Sequence, residues 1–108
     1  MILLDTSVLI ALDAVVLPDD LWAISALSHA ELAFGARVAA TAEERARRRS
    51  RLSAIEATGL DWLPFDRAAG AGYATVAEVV WRTRRAHARS TDIMIAGHAH
   101  ALGATLAT

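Results

Sequence analysis

Short apolar runs alternate with longer segments of helical period along all 108 residues, and that alternation constrains the fold more than any single motif. Ile2-Leu3-Leu4 is a short apolar run closed by Asp5-Thr6-Ser7, and a second apolar run, Val8 to Leu12, follows. This reads as a buried strand, a tight turn and a helix. Asp13 to Asp20, with Pro18, reads as a loop, and Leu21 to Ser25 as a second strand. Ser25 or Ala26 opens a helix to about Val38. Thr41-Ala42-Glu43-Glu44 has the form of a capping box; its helix reaches about Ala57 and stops at Gly59. Leu60 to Phe65 is a third strand. Asp66 is a good N-cap for a helix on which Ala69, Tyr73, Val76, Val80 and Thr83 share one face. Ser90 or Thr91 caps a last helix, Asp92 to Leu102, which Gly103 ends, and Ala104 to Thr108 is a fourth strand. Strands alternating with helices imply an α/β domain, a parallel sheet covered on both faces.

The length suits one core and one domain. Hydrophobic residues make up 55% and charged residues 21%, a globular balance. A net charge of −1 excludes a protein that coats nucleic acid by bulk charge, so a nucleic-acid site must come from local clustering. The absence of cysteine removes disulfides, thiolate zinc sites and cysteine nucleophiles together. The N-terminal residues lack the basic region and long apolar run of a signal peptide. No stretch approaches the ~18 uninterrupted apolar residues of a membrane span. A soluble, cytoplasmic protein is the expectation.

Most carboxylates on a globular protein are solvated, and that serves for Asp13, Asp19, Asp20, Glu43, Glu44, Glu56, Asp61 and Glu78. Three others stand apart. Asp5 directly follows a strand, where ligand sites of open α/β sheets lie, although it would equally cap the next helix. At 100° per residue, Glu31 falls inside the stripe formed by Leu27, Phe34 and Val38. A carboxylate facing a core is costly unless paired or metal-bound, so an arginine partner or a cation is expected. Asp92 lies in a first helical turn, where the dipole favours an acid. It also shares a face with Ile95, Ala96 and Ala99 on a helix apolar almost all round, which points it into a cleft. Three inward carboxylates would repel one another unless a cation neutralised them. A hard, all-oxygen site without cysteine suits Mg²⁺ or Mn²⁺, and with it metal-assisted phosphodiester hydrolysis.

Other signals are weaker. Arg45, Arg47, Arg48, Arg49 and Arg51 form a basic run that could meet phosphates, against a solvated helix with Glu43–Arg47 and Glu44–Arg48 pairs. Arg82, Arg84, Arg85 and Arg89 approach Asp92 and are better candidates for substrate or partner contacts. His98 and His100 face nearly opposite ways on their helix, and His29 lies opposite Glu31, so neither a zinc site nor a Ser–His–Asp triad finds support. Trp22, Trp62 and Trp81 read as packing or interface residues. Apolar residues exposed near Leu9 to Leu12, or on the arginine-rich helix, would suit a partner helix.

Five segments carry a family resemblance. Met1-Ile2-Leu3-Leu4-Asp5-Thr6-Ser7 resembles the opening of a PIN domain, and Ser28-His29-Ala30-Glu31 with Gly35 its second motif. Asp66-Arg67-Ala68-Ala69 with Tyr73-Ala74 resembles the start of the helix before the active-site helix. Ser90-Thr91-Asp92-Ile93-Met94-Ile95-Ala96 is similar to the third acidic motif, and Gly103 to Thr108 to the strand after it. Singly these motifs are weak. Together, in this order and spanning essentially the whole chain, they are similar to the VapC toxins of VapBC toxin–antitoxin pairs.

The resemblance implies a three-layer α/β/α PIN-like fold and a Mg²⁺-dependent endoribonuclease, with Mn²⁺ as a substitute. It also implies an RNA substrate and a VapB-type antitoxin that blocks the site; a homodimer is a further expectation. Carried over, the catalytic and metal-holding set is Asp5, Glu31 and Asp92. Thr6 and Ser28 match hydroxyl positions that would orient carboxylates or water, or else simply start helices. Family members usually continue past the position of Thr108 with a further acidic residue and a last strand. The expectation is therefore a single PIN domain over residues 1–108 lacking that segment. That departure supports a second reading, a PIN-like module that binds RNA or a partner without cutting. A receiver-type phosphoacceptor domain would want a lysine, and the sequence has none.

Overall fold

The computed structural model describes residues 1–108. Its elements are β1 (Ile2–Leu4), α1 (Thr6–Ile10), β2 (Trp22–Ser25), α2 (Ala26–Val38), α3 (Ala42–Ala57), β3 (Asp61–Leu63), α4 (Arg67–Trp81), α5 (Thr91–Leu102) and β4 (Thr105–Ala107), with 3-10 turns at Leu12–Ala14 and His87–Arg89. The strands form one sheet in the order β3-β2-β1-β4, and every pairing is parallel. Helices cover both faces, which makes the three-layer α/β/α arrangement expected of a PIN-like fold.

The two-residue period of a strand divides the core. Leu4 and Ile24 face the layer that holds Val8 and Leu9 of α1 and Ile55 of α3. Their neighbours Leu3 and Ala23 face the opposite layer, against Ile95 and Ala99 of α5. Leu3 is paired with Ala23, and Leu4 with Ile24, so each face receives one residue from each central strand. Leu3, Leu4, Ile24 and Ile95 are fully buried, each contributing about 1.5–3 kcal/mol of transfer free energy.

The expected boundaries differ in places for local reasons. β3 stops at Leu63, not Phe65, because Pro64 has no N–H to offer the ladder. Thr83 lies beyond the end of α4 and is exposed. At the start of α3, Thr41 accepts a hydrogen bond from the Glu44 N–H, but Glu44 does not reach back to complete the box. Its carboxylate takes Arg47 at 3.0 Å and Arg48 at 2.9 Å instead. The Arg48 hydrogen bond holds the Glu44 carboxyl below its usual range, with Arg47 and Arg51 adding to it against some desolvation. Glu43 makes no ion pair.

α4 and α5 pack as an antiparallel hairpin. Gly72 lies against Gly97 and Ala101, and near the other end the Tyr73 hydroxyl donates to the Ala88 carbonyl at 3.1 Å. α5 leads through Gly103, in the left-handed conformation at φ 63°, into β4, which runs parallel to β1. That return places the start of α5 on the carboxyl side of the sheet.

Candidate functional site

β1 delivers Asp5 to the carboxyl edge, where the backbone stays extended (φ −69°, ψ 158°) and α1 begins. Asp5 caps that helix: its Oδ2 accepts from the Ser7 hydroxyl at 2.8 Å and from the Ser7 N–H at 3.4 Å. Oδ1 has no partner in the chain. One carboxylate therefore serves as a cap and still presents an oxygen at the strand end.

Thr6 and Ser28 are released from capping because Asp5 and Ser25 occupy those positions. Ser28, in the first turn of α2, is fully buried. Thr6 Oγ1 lies 2.9 Å from Ser28 Oγ and 2.7 Å from Glu31 Oε1. A threonine hydroxyl carries one proton, and an ionised carboxylate only accepts. The chain therefore runs from Ser28, donating to Thr6, to Thr6, donating to Glu31. Two hydroxyls, one from α1 and one from α2, thus hold one carboxylate in a fixed direction.

The expectation that Glu31 faces the core is corrected. Phe34 and Val38 are exposed, at 65% and 58%, and Glu31 is only half-buried. The buried face of α2 carries Ser28 and Ala36 instead. A helical wheel shows which residues share a side but not which side another layer covers. No arginine is paired with Glu31, Asp5 or Asp92, so the structural ion pair weighed for Glu31 is absent.

Asp92 also departs from expectation. Ile95 and Ala99 are buried against the sheet, but Asp92, nearly a turn before Ile95, is exposed. Ile93, the next residue, is buried, so the exposure of Asp92 reflects the side of α5 on which it lies. The three carboxylates thus belong to one side of the sheet, yet no three His, Asp or Glu side chains converge closely enough to grip a cation as the chain stands. The donors on offer are carboxylate and hydroxyl oxygens, a hard set that fits Mg²⁺ or Mn²⁺. Mg²⁺ needs only one or two carboxylates because it keeps several waters.

Glu31 and Thr6 line a cleft of about 330 Å³ between α1, α2 and α3, together with Ile10, Gly35, Arg48 and Arg51. Arg48 is committed to Glu44 and to the Gly35 carbonyl at 3.0 Å, and Arg45 to the Ala39 carbonyl. Much of the first basic run is therefore structural. His29 meets Glu56 at 3.2 Å and Trp62 edge-on, away from Glu31.

One feature of this region was not read from the sequence. His98 of α5 is buried, with Nδ1 2.9 Å from Ser25 Oγ and its ring edge-on to Phe65. Ser25 ends β2 and caps α2, so the contact ties the helix of Asp92 to the helix of Glu31. Burial pushes the His98 imidazole below its ordinary value, with Asp66 opposing. His98 is one of two histidines on an apolar helix, and nothing along the chain marks its partner, 73 residues away.

No family model matches the sequence, and no curated protein does. Among solved structures, VapBC-5 from Mycobacterium tuberculosis, a member of the VapBC family of toxin–antitoxin systems, is similar over 96% of this chain and 80% of that chain, with 30% identity and a TM-score of 0.73. The chain belongs to the VapBC family, on its PIN-domain, VapC side. FitAcB from Neisseria gonorrhoeae is 28% identical with a TM-score of 0.68, all of this chain covering 86% of that one. VapBC2 from Rickettsia felis, bound to a DNA fragment from its promoter, shares the fold at 23% identity and a TM-score of 0.74, covering all of this chain and 87% of that one. In this PIN domain the five resembling segments fall on β1–α1, on α2, on the first halves of α4 and α5, and on β4. No helix of this PIN domain is long and apolar enough to cross a membrane.

Proposed function

We propose that this PIN-domain chain is the toxin of a toxin–antitoxin pair and acts as a Mg²⁺- or Mn²⁺-dependent endoribonuclease. The observation that carries the reading is the Ser28–Thr6–Glu31 relay beside Asp5 at the carboxyl edge of the sheet. A buried serine and a threonine spent on aiming one unpaired carboxylate have no evident use in folding. The VapBC relatives support the toxin role, and their assembly with antitoxins supports a VapB-type partner here.

Asp5, through its free Oδ1, and Asp92, at the start of α5, would be the main holders of the cation. Glu31, held by Thr6, would be a further holder or would orient the attacking water. When bound, the cation supplies stabilisation of charge on the phosphate and makes water a competent nucleophile at neutral pH. Asp5 keeps its direction through Ser7. Thr6 keeps Glu31 aimed, its hydroxyl 2.7 Å from Glu31 Oε1. No side chain need act as a covalent nucleophile.

The antitoxin would seat an apolar segment in the groove of about 590 Å³ between α1 and α3, lined by Leu9, Ile10, Leu12, Ala54 and Ile55 among others. Ile10 is 47% exposed there and also borders the Glu31 cleft, so a segment in the groove would lie beside the site it blocks. A homodimer is part of this reading.

The lack of a converged acidic cluster favours one alternative, a module that binds RNA or a partner without cutting it. The deciding experiment is RNA cleavage by the whole chain with Mg²⁺, with Mn²⁺ and with EDTA, beside Asp92→Asn. Metal-dependent cleavage lost in a folded Asp92→Asn protein is the expected result. RNA binding without cleavage at any metal concentration would establish the alternative.

A further inference from the structure

The two basic runs have different fates in the fold. In the first, Arg45, Arg47 and Arg48 are taken by Glu44 and by carbonyls. In the second, only Arg82 has an acidic partner, the exposed Glu78 at 3.3 Å. Arg84, Arg85 and Arg89 make no ion pair, and no acidic residue occurs between Glu78 and Asp92. Two of these guanidiniums gather on one side chain. Arg85 Cζ lies 5.3 Å and Arg89 Cζ 5.5 Å from the centre of the Trp81 ring.

Trp81 ends α4 and is 40% exposed. It is the only one of the three tryptophans that does not pack against a hydrophobic core cluster. The ring face attracts each guanidinium, but it does not neutralise either charge. Two like charges are thus held over one aromatic surface with no acidic group at ion-pair distance, since Glu78, which borders that surface, pairs with Arg82, and an anion between them would relieve their repulsion. The segment is also braced: the Tyr73 hydroxyl donates to the Ala88 carbonyl, Ala88 is buried, and the turn His87–Arg89 runs directly into the Ser90 cap of α5. Arg89 therefore precedes Asp92 by three residues on an ordered backbone.

We propose that Trp81, Arg85 and Arg89, with Arg84 beside them, form an RNA-backbone-binding subsite that engages phosphates flanking the one presented at Asp92. It rests on the nuclease reading for its direction, since single-stranded RNA crossing the start of α5 must leave past this end of the hairpin. Guanidinium forks match phosphate oxygens two at a time. The tryptophan orders the forks and offers an aromatic edge to an unstacked base. An acidic protein segment would satisfy the charge, but it has no reason to lie in line with Asp92 or to need an aromatic ring.

The test is binding of a fluorescent single-stranded RNA of about a dozen nucleotides to the whole chain in EDTA, by anisotropy across a salt series. For single strands log K falls with log salt by about 0.7 per phosphate neutralised. Arg85→Gln/Arg89→Gln should weaken binding at least tenfold at moderate salt and lower the slope by between about 1 and 1.5. Trp81→Leu should weaken binding several-fold and leave the slope nearly unchanged. Arg49→Gln, on α3, should do neither. Wild-type affinity and slope in the double variant would overturn the subsite. Cleavage with Mg²⁺ is read separately: patch-dependent binding without cleavage would sink the nuclease reading and spare the subsite, and cleavage indifferent to the double variant at subsaturating RNA would do the reverse.

Discussion

Gly72 of α4 and Gly97 of α5 touch backbone to backbone. A Cβ on Gly72 would collide with the Gly97 carbonyl oxygen and lie 2.8 Å from the Ala101 Cβ; one on Gly97 would lie 2.9 Å from the Gly72 carbonyl carbon. This contact sets the spacing of the hairpin that carries Asp92 at one end and presses Ile95 and Ala99 onto the sheet. Gly70, on the same helix as Gly72, has nothing within 4 Å of the corresponding position.

The three glycines should therefore respond with opposite signs. Gly70→Ala should stabilise by roughly 0.5–1 kcal/mol, because alanine is the better helix former and space is open. Gly72→Ala and Gly97→Ala should each cost about 3 kcal/mol or more, since backbone cannot yield as a side-chain tip can. Thermal melts would show Tm up by several degrees for the first and down by roughly 10–20 °C for the others. A neutral Gly97→Ala would mean the hairpin opens without consequence for the core.

Asp5 has two duties that a substitution pair separates. Asparagine caps a helix about as well as aspartate, whereas alanine costs about 1 kcal/mol. Asp5→Asn should keep wild-type stability and lose metal-dependent cleavage; Asp5→Ala should lose both. Urea unfolding of the metal-free proteins beside a cleavage assay measures the split. Full cleavage by Asp5→Asn would remove Asp5 from the site.

Thr6 and Glu31 should show coupling. Glu31→Gln should leave metal-free stability within about 0.5 kcal/mol, since nothing cationic loses its partner, and should shrink the Tm rise produced by Mg²⁺. Thr6→Val should shrink that rise as well, and the double variant should lose little more than Glu31→Gln alone. Additive losses would show that Thr6 does not act through Glu31.

His98 should make stability fall with acid. Its folded-state value is depressed by burial, with Asp66 as the opposing charge. The unfolded chain therefore binds the proton first, and stability is lost as pH drops from about 6.5 through the lower folded value. His98→Gln should flatten that segment of the profile relative to wild type. Urea midpoints at half-unit steps from pH 7.5 to 4.5 (roughly the imidazole range) would record it. Parallel profiles in the two proteins would show that His98 takes its proton freely in the fold.

The order of elements, most helix ends and both left-handed glycines were legible in the sequence because each depends on neighbours along the chain. Asp66 and Ser90 cap by accepting from the N–H groups of Ala69 and Ile93, each three residues further on, and Gly59 and Gly103 stop helices by their own φ. The PIN resemblance likewise named Asp5, Glu31 and Asp92 from linear motifs. What the sequence left open was which surfaces meet. The stripe of Leu27, Phe34 and Val38 read as a core face, yet Phe34 and Val38 face solvent, because periodicity records a side of a helix and not the layer opposite it. Asp92 is exposed although Ile93 beside it is buried, a difference set by which side of α5 the sheet covers. Ser25–His98, Gly72–Gly97 and the Ser28–Thr6–Glu31 relay join residues 22 to 73 positions apart. Only packing of the layers decides such pairs, since burial, close approach and hydrogen-bond satisfaction are properties of the assembled core.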